Sequence, residues 1–302
     1  MKRKNKIIIF SSVVFVVILA VLSTLFLTHK TKEIRFMNAL NCFNVDENDN
    51  TIQFAFITDR NPDIDFLDPE NILSIQPVDA PNLQVTKYEI LPDTSTDLLG
   101  ARKHRLSLHY SVKGEEPIVF EKINIKTKNE EHTYDIGHTI LNRKDESKEP
   151  ESMGILGNIA MTARYPLHIY YVMYKNEGNT NEIVEKIDID PNFLVFNPRV
   201  YLSNTDYNST WEKTKEGSPF LDDELAIPPV KDISHINFVI PPEKMLTMII
   251  TFEEKDVPYD LFGFSTTIHF QNSKILYTPE LKTGLGFRNQ KDVDKLFHKY
   301  FG

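Results

Sequence analysis

Hydrophobic and polar side chains alternate along several stretches of this 302-residue chain, and this period of two constrains the fold most. At 104–112 the alternation places Leu106, Leu108, Tyr110 and Val112 on one face of an extended strand. Many short strands separated by turn residues predict β-sandwiches or barrels. The other segments with strand patterning are 51–58, 72–78, 83–91, 118–127, 166–174, 183–189, 235–240, 246–252 and 264–270.

A charged segment interrupts this pattern near the middle of the chain. Residues 142–153 carry seven charges and one proline, and they hold no apolar side chain before Met153. Such a composition cannot bury itself and is typical of a linker. We therefore predict two β-sandwich domains, at 34–141 and 154–302. A single two-sheet domain with a long exposed loop at this point is the alternative.

An uncharged apolar run precedes both predicted domains. Residues 7–28 contain no charged side chain. A helix over this run would be about 33 Å long, which is enough to cross a hydrocarbon core of about 30 Å. The run exceeds the apolar region of a signal peptide, and no small-residue cleavage site follows it. We predict an uncleaved transmembrane signal anchor.

The charges around this run predict its orientation. Lys2, Arg3, Lys4 and Lys6 precede it, with no acidic residue among them. The positive-inside bias therefore places residues 1–6 in the cytoplasm and the bulk of the chain outside the cell. The expected location is the cell membrane, crossed once by one helix in the lipid bilayer.

The end of the chain changes to a helical period. Over 289–301 the apolar side chains recur at the spacing of one helix face. We expect this helix to cover a sheet face or the open end of the second sandwich, or alternatively to dock a partner protein. The candidate docking residues are Val293, Leu296, Phe297, Tyr300 and Phe301.

Composition excludes several classes of protein. With 43 acidic and 34 basic residues the formal net charge is −9, which argues against a nucleic-acid partner. A single cysteine excludes an internal disulfide and a cysteine-rich zinc cluster. The chain contains no nucleophile elbow, zinc-protease motif, P-loop or dinucleotide fingerprint. We therefore expect no organic cofactor, and the balance favours a protein that is not an enzyme.

One acidic turn is a candidate calcium site. Asp46, Asn48 and Asn50 offer oxygen atoms at every second position, and oxygen is the ligand that Ca²⁺ prefers. The segment departs from an EF-hand loop, because Thr51 replaces the glycine and Ile57 replaces the last glutamate. A solvated turn without metal is the alternative.

An ordered series of patterns over 169–252 carries a family resemblance. A strand ends at Lys-Asn-Glu-Gly (175–178), another leads to Asp188, a polar loop covers 204–214, and Ile-Pro-Pro-Glu (240–243) precedes a last strand. This series resembles the immunoglobulin-like extracytoplasmic domains of Gram-positive membrane-anchored proteins and lipoproteins. It covers about a quarter of the chain and lacks the paired cysteines of some such domains. The resemblance implies an envelope location and a binding or scaffolding role.

These features predict a non-enzymatic, membrane-anchored binding or scaffolding protein of the bacterial cell envelope. Its partner would be another envelope protein or a wall glycan. Two alternatives remain open. One is an extracytoplasmic wall or glycan hydrolase that uses paired carboxylates. The other is a ligand-binding sensor or an accessory subunit of a membrane complex.

Overall fold

The computed structural model describes residues 34–58, 68–92, 103–164, 167–205, 228–253, 259–284 and 290–301. This part of the chain is mainly β, with eighteen strands and two α-helices, which confirms the mainly-β prediction and the short C-terminal helix. The strands are β1 Ile34–Phe36, β2 Ala39–Val45, β3 Asn50–Thr58, β4 Ile72–Pro77, β5 Leu83–Pro92, β6 Lys103–Val112, β7 Ile118–Thr127, β8 Glu131–Arg143, β9 Met153–Arg164, β10 Leu167–Asn176, β11 Glu182–Asp188, β12 Arg199–Ser203, β13 Phe238–Ile240, β14 Met245–Glu253, β15 Leu261–Phe264, β16 Thr267–Phe270, β17 Ile275–Tyr277 and β18 Leu281–Gly284. The helices are α1 Pro191–Leu194 and α2 Gln290–Phe301, and short 3-10 helices lie at Pro69–Asn71 and Glu146–Lys148.

The strands of the described part form four sheets. The first sheet has the order β1-β3-β6-β5, and the six-stranded sheet, called the shared sheet below, has the order β18-β15-β2-β8-β7-β4. The third sheet has the order β12-β14-β10-β9, and the fourth has the order β13-β11-β16-β17. Strands that are neighbours in sequence often lie in different sheets, as expected when sheets stack face to face.

The alternating strands bury the side chains that the sequence predicts. On β6 the side chains of Leu106, Leu108, Tyr110 and Val112 are buried. They belong to a hydrophobic core that also contains Phe120 of β7. This first core therefore lies between the first sheet and the shared sheet.

Strand β2 is buried on both faces because cores lie on both sides of the shared sheet. It pairs in parallel with β8 and with β15, and all seven of its residues are buried. Phe43 and Val45 belong to the first core, whereas Leu40 and Cys42 belong to a second core that contains the aromatic side chains of the later strands. A strand buried on both faces needs no polar alternation, so its sequence lacks one.

Segments from both predicted domains complete the shared sheet. Strands β15 and β18 follow the predicted linker at 142–153, yet β15 pairs with β2. Within the linker, the Lys144 N–H donates to the Val45 carbonyl at 2.9 Å, and the Asp145 N–H donates to the Tyr277 hydroxyl at 2.9 Å. The division into two domains stays a prediction, but its two halves share one sheet.

The alternation at 264–270 predicts one strand, and this prediction is wrong. The chain leaves the shared sheet after Phe264 and enters the fourth sheet at Thr267. Between them, the Ser265 N–H donates to the Cys42 carbonyl at 3.0 Å, and the Thr266 N–H donates to Thr278 Oγ1 at 2.7 Å. These bonds satisfy the backbone N–H groups of Ser265 and Thr266 while the chain changes sheets.

The predicted anchor at 7–28 and the segment 1–6 lie outside the described residues. Among the helices that are described, none combines the length and the apolar character needed to span a bilayer.

Candidate binding cleft

A cleft separates the edges of the first sheet and the shared sheet. Its walls are β4 and β5, and in the described part of the chain each of these strands pairs on one side only. The cleft volume is about 1250 Å³. The lining residues are Leu73, Ser74, Ile75, Gln76, Pro77, Asp79, Ala80, Pro81, Leu83, Gln84, Val85, Thr86, Lys87, Tyr88 and Lys113.

The cleft has an apolar floor and a polar rim. Ile75, Ala80 and Leu83 are buried, whereas Gln76 and Gln84 are exposed. The Tyr88 hydroxyl donates to the Ile72 carbonyl at 3.1 Å, which ties the two walls together at one end. The floor can bury apolar side chains of a ligand, and the rim offers amide donors and acceptors.

Each wall strand of the cleft carries a register irregularity. The pairing register of β4 with β7 shifts between Ile72 and Ser74, and that of β5 with β6 shifts between Val85 and Lys87. A bulge bends its strand and increases the local twist. Leu73, at the first irregularity, is 58% exposed at the rim.

A second group of side chains, called the junction cluster below, contains Asp46, Tyr110, Lys144, Glu280 and Lys282. Burial raises the pKa of Glu280 to about 7 and lowers the pKa of Lys282 to about 7. Burial, with smaller effects from Glu280 and Asp46, also raises the pKa of Tyr110 well above its ordinary value. Lys144 Nζ lies 3.1 Å from Asp46 Oδ1.

The register of the shared sheet explains how Lys282 enters this interior. Lys282 lies opposite Gly263, which in turn lies opposite Asn41. A Cβ atom on Gly263 would come within 2.6 Å of Asn41 Oδ1 and 3.0 Å of Lys282 Cγ, so a glycine is needed for the lysine to cross β15. The lysine amine reaches the Gln53 carbonyl, to which it donates a hydrogen bond, and lies 5.4 Å from the centre of the Phe43 ring.

The junction cluster holds two titratable groups, Glu280 and Lys282, whose pKa values are shifted to about 7. Perturbed carboxyl groups do mark catalytic sites in many enzymes. However, neither the 1250 Å³ cleft nor a second cleft of about 410 Å³ is lined by any member of the cluster. Burial causes both pKa shifts, and the opposite charges of Glu280 and Lys282 partly offset them.

The candidate calcium residues are engaged in a turn. The Asp46 N–H donates to Asn50 Oδ1 at 3.0 Å, and Asn50 Nδ2 donates to the Asp46 carbonyl at 2.8 Å. Asn48 is exposed at the tip of this turn. The described residues hold no group of three acidic, histidine or cysteine side chains placed to hold a metal. Calcium binding here stays a prediction, and it would compete with the Lys144 contact of Asp46.

The apolar stripe of α2 packs against this same chain. Leu296 is buried with Met37 and Ile57, and Phe297, Tyr300 and Phe301 pack against them. The side chain of Val293 is outside the described part. The helix therefore packs against residues around the first strands and against Leu261 of β15, and its docking to a partner stays a prediction.

The sequence interpretation missed the cleft because it predicted both wall strands without identifying them as edges. One signal was available. Pro77 ends β4 and Pro92 ends β5, and proline is confined to edge strands, strand ends and bulges because it cannot donate to a ladder.

Comparisons with known proteins do not identify a family for this chain. No family model and no curated protein matches this sequence. Among solved structures, a Porphyromonas gingivalis W83 protein of unknown function aligns over 83% of this chain and 99% of its own, at 9% identity and a TM-score of 0.24. The C-terminal domain of the Streptococcus agalactiae AgI/II polypeptide BspA aligns over 83% and 99%, at 9% identity and a TM-score of 0.20. The D00-D0 domain of intimin gives the same coverage, identity and TM-score. At such scores the alignments establish no shared fold, and the architecture rests on the strands themselves.

Proposed function

We propose that this protein is a membrane-anchored, extracytoplasmic binding or scaffolding protein without enzymatic activity. In this proposal, residues 7–28 anchor it, and the β-rich part holds an extended segment of a partner polypeptide in the cleft between β4 and β5. The immunoglobulin-like resemblance of 169–252 is consistent with such a role. The observation that carries the proposal is the pair of strand edges that face one cleft.

The chemistry of the cleft favours an extended polypeptide over other ligands. An edge strand presents backbone N–H and C=O groups at the spacing of a β-ladder, and an added strand satisfies them. The six residues of β4 and ten residues of β5 offer edges of ordinary strand length. Leu73, Ile75 and Leu83 offer apolar contacts for alternate side chains of the added strand.

Site-specific photo-crosslinking in cells tests this proposal. A photoreactive amino acid replaces Gln84 on the cleft rim, and in a separate chain it replaces the exposed Lys231, which lies outside the cleft. We expect one dominant polypeptide to crosslink from position 84 and not from position 231. Mass spectrometry then identifies the partner and the crosslinked segment.

A matched pair of variants makes the test specific. Leu73→Asp places a charge at the cleft rim, and Val119→Asp places one at a similarly exposed apolar position, 45% exposed on β7, outside the lining. The first variant should abolish the crosslink and the second should preserve it. Equal crosslinking in both variants, or no polypeptide captured from position 84, would reject the cleft as a binding site.

A further inference from the structure

Helix α2 carries a row of lysines among its exposed residues. Lys291, Lys295 and Lys299 recur at every fourth position, so they form one row, called the lysine face below. All three are exposed, and in the described part Lys291 and Lys295 have no ion-pair partner. Lys299 pairs with Asp260 Oδ1 at 2.7 Å, and its side chain remains 47% exposed.

Hydrogen bonds fix α2 to the start of the described chain. The Asn38 N–H donates to the Tyr300 hydroxyl at 2.9 Å, and the Asp260 N–H donates to the Asn38 carbonyl at 2.6 Å. Lys299 and Tyr300 also line the cleft of about 410 Å³, together with Ile34 and Arg35 of β1. The helix is therefore attached to the residues that directly follow the predicted anchor.

The chain length between the anchor and β1 limits how far this end lies from a bilayer. Ile34 follows the end of the predicted anchor at residue 28 by six positions. An extended residue spans at most about 3.6 Å, so Ile34 lies within about 22 Å of the outer end of the proposed anchor. With the proposed anchor at 7–28, helix α2, which is bonded to Asn38 four residues after Ile34, lies at the membrane-proximal end.

We propose that the lysine face of α2 contacts the anionic headgroups of the bilayer in which the protein is anchored. This inference rests on the proposed anchor. The net charge of −9 disfavours approach of the remaining surface to anionic lipid, so the attraction must come from the lysines of α2 beside the bilayer. A row of lysines beside the bilayer is attracted to it over about a Debye length. The contact would orient the β-rich part and the cleft relative to the membrane.

A label on α2 of the full-length chain tests the contact. His298 is exposed next to the lysine face, and Cys42 is buried, so His298→Cys provides a position for a thiol-reactive fluorophore. The labelled protein is reconstituted into vesicles of phosphatidylcholine alone or mixed with phosphatidylglycerol, each carrying a headgroup quencher. We expect stronger quenching in the anionic vesicles and loss of this difference at high salt.

Charge variants separate the lysine face from general electrostatics. Lys291→Glu with Lys295→Glu should abolish the phosphatidylglycerol-dependent quenching, and Lys291→Gln with Lys295→Gln should reduce it without adding negative charge. The control, Lys231→Glu with Lys244→Glu, changes the net charge equally at exposed positions outside α2 and should leave the quenching unchanged. Helicity and thermal unfolding midpoints verify that each variant is folded.

The outcomes distinguish failure of the anchor from failure of the contact. Flotation of the full-length chain with neutral vesicles measures anchoring by itself, because the lysine face has no anionic partner there. A chain that does not float overturns the proposed anchor and the inference with it. If the chain floats but its quenching does not change with phosphatidylglycerol or with the α2 charge variants, only the lipid contact is overturned.

Discussion

At the residue scale, the junction cluster places two ionisable groups where their charged forms are disfavoured. Glu280 and Lys282 are half-buried near the first core, and each has a pKa near 7. A buried charge is costly unless its environment compensates for it, and removing both groups together can be neutral or stabilising. The cluster therefore makes the stability of the protein sensitive to pH around neutrality.

The two shifts have opposite effects on the pH dependence. The pKa of Glu280 rises from 4.5 to about 7, so the folded chain keeps a proton that the unfolded chain releases, and the free energy of unfolding falls as pH increases across this range. The pKa of Lys282 falls from 10.5 to about 7, so the free energy of unfolding rises with pH between about 7 and 10.5. The contribution of the pair to stability is lowest near pH 7.

We expect the double substitution Glu280→Gln with Lys282→Met to remove this minimum in the free energy of unfolding near pH 7. The double variant should be more stable than the natural protein near pH 7 by on the order of 1 kcal/mol, with a smaller difference toward acidic or basic pH. Urea unfolding of the full chain at acidic, neutral and basic pH measures the effect. Lys295→Met, an exposed lysine substitution, is the control. If the free energy of unfolding depends on pH in the same way in the double variant and the natural protein, the pKa shifts of Glu280 and Lys282 are contradicted.

At the element scale, α2 is held by one buried carboxylate as well as by its apolar stripe. Asp260, 6% exposed, accepts hydrogen bonds from the Tyr300 hydroxyl and from Lys299 of the helix, and from the Asn38 N–H at 3.3 Å. Burial, with added effects from Asp260, raises the pKa of Tyr300 well above its usual range. The tyrosine therefore stays a hydrogen-bond donor at physiological pH.

Loss of the Tyr300 hydroxyl should loosen α2 specifically. Tyr300→Phe keeps the ring but leaves the buried Asp260 carboxylate without one donor, which costs about 1–3 kcal/mol. We expect faster hydrogen–deuterium exchange of the α2 amides and little change in β6. His298→Ala, an exposed change in the same helical turn, should leave exchange close to that of the natural protein apart from fraying. Unchanged α2 protection in Tyr300→Phe would show that the apolar contacts alone hold the helix.

Sequence predicts single elements better than the way they combine. The 104–112 strand and the terminal helix follow from local periodicity, and both are present. Strand β2 escaped prediction because burial on both faces removes the alternation from Ala-Leu-Asn-Cys-Phe-Asn-Val. The cleft and the junction cluster also escaped, because each depends on strands distant in sequence. Glu280 and Lys282 look like ordinary surface charges until β18 is placed beside β15.

At the scale of the whole molecule, the shared sheet couples the two halves of the chain. Its two faces belong to different cores, with Phe43 in the first and Phe264 in the second. Strand β15 enters the sheet from the later half, and the chain then continues directly into the fourth sheet. Because each face of β2 packs in a different core, unfolding of either core would expose one face of this strand to solvent.

This coupling predicts that the described sheets unfold as one cooperative unit. Phe264→Ala removes a ring that is 1% exposed in the second core, and such a change costs about 3–5 kcal/mol. If the shared sheet couples the cores, Phe264→Ala should accelerate amide exchange equally in both halves. Native-state hydrogen exchange of the slowest amides measures this in β6 of the first sheet and in β11 of the fourth sheet. The reciprocal substitution, Phe54→Ala in the first core, should accelerate the hydrogen exchange of the β11 amides as much as that of the β6 amides. Acceleration confined to the half that carries each lesion would instead favour separate domains at 34–141 and 154–302, because each core would then melt without disturbing the other.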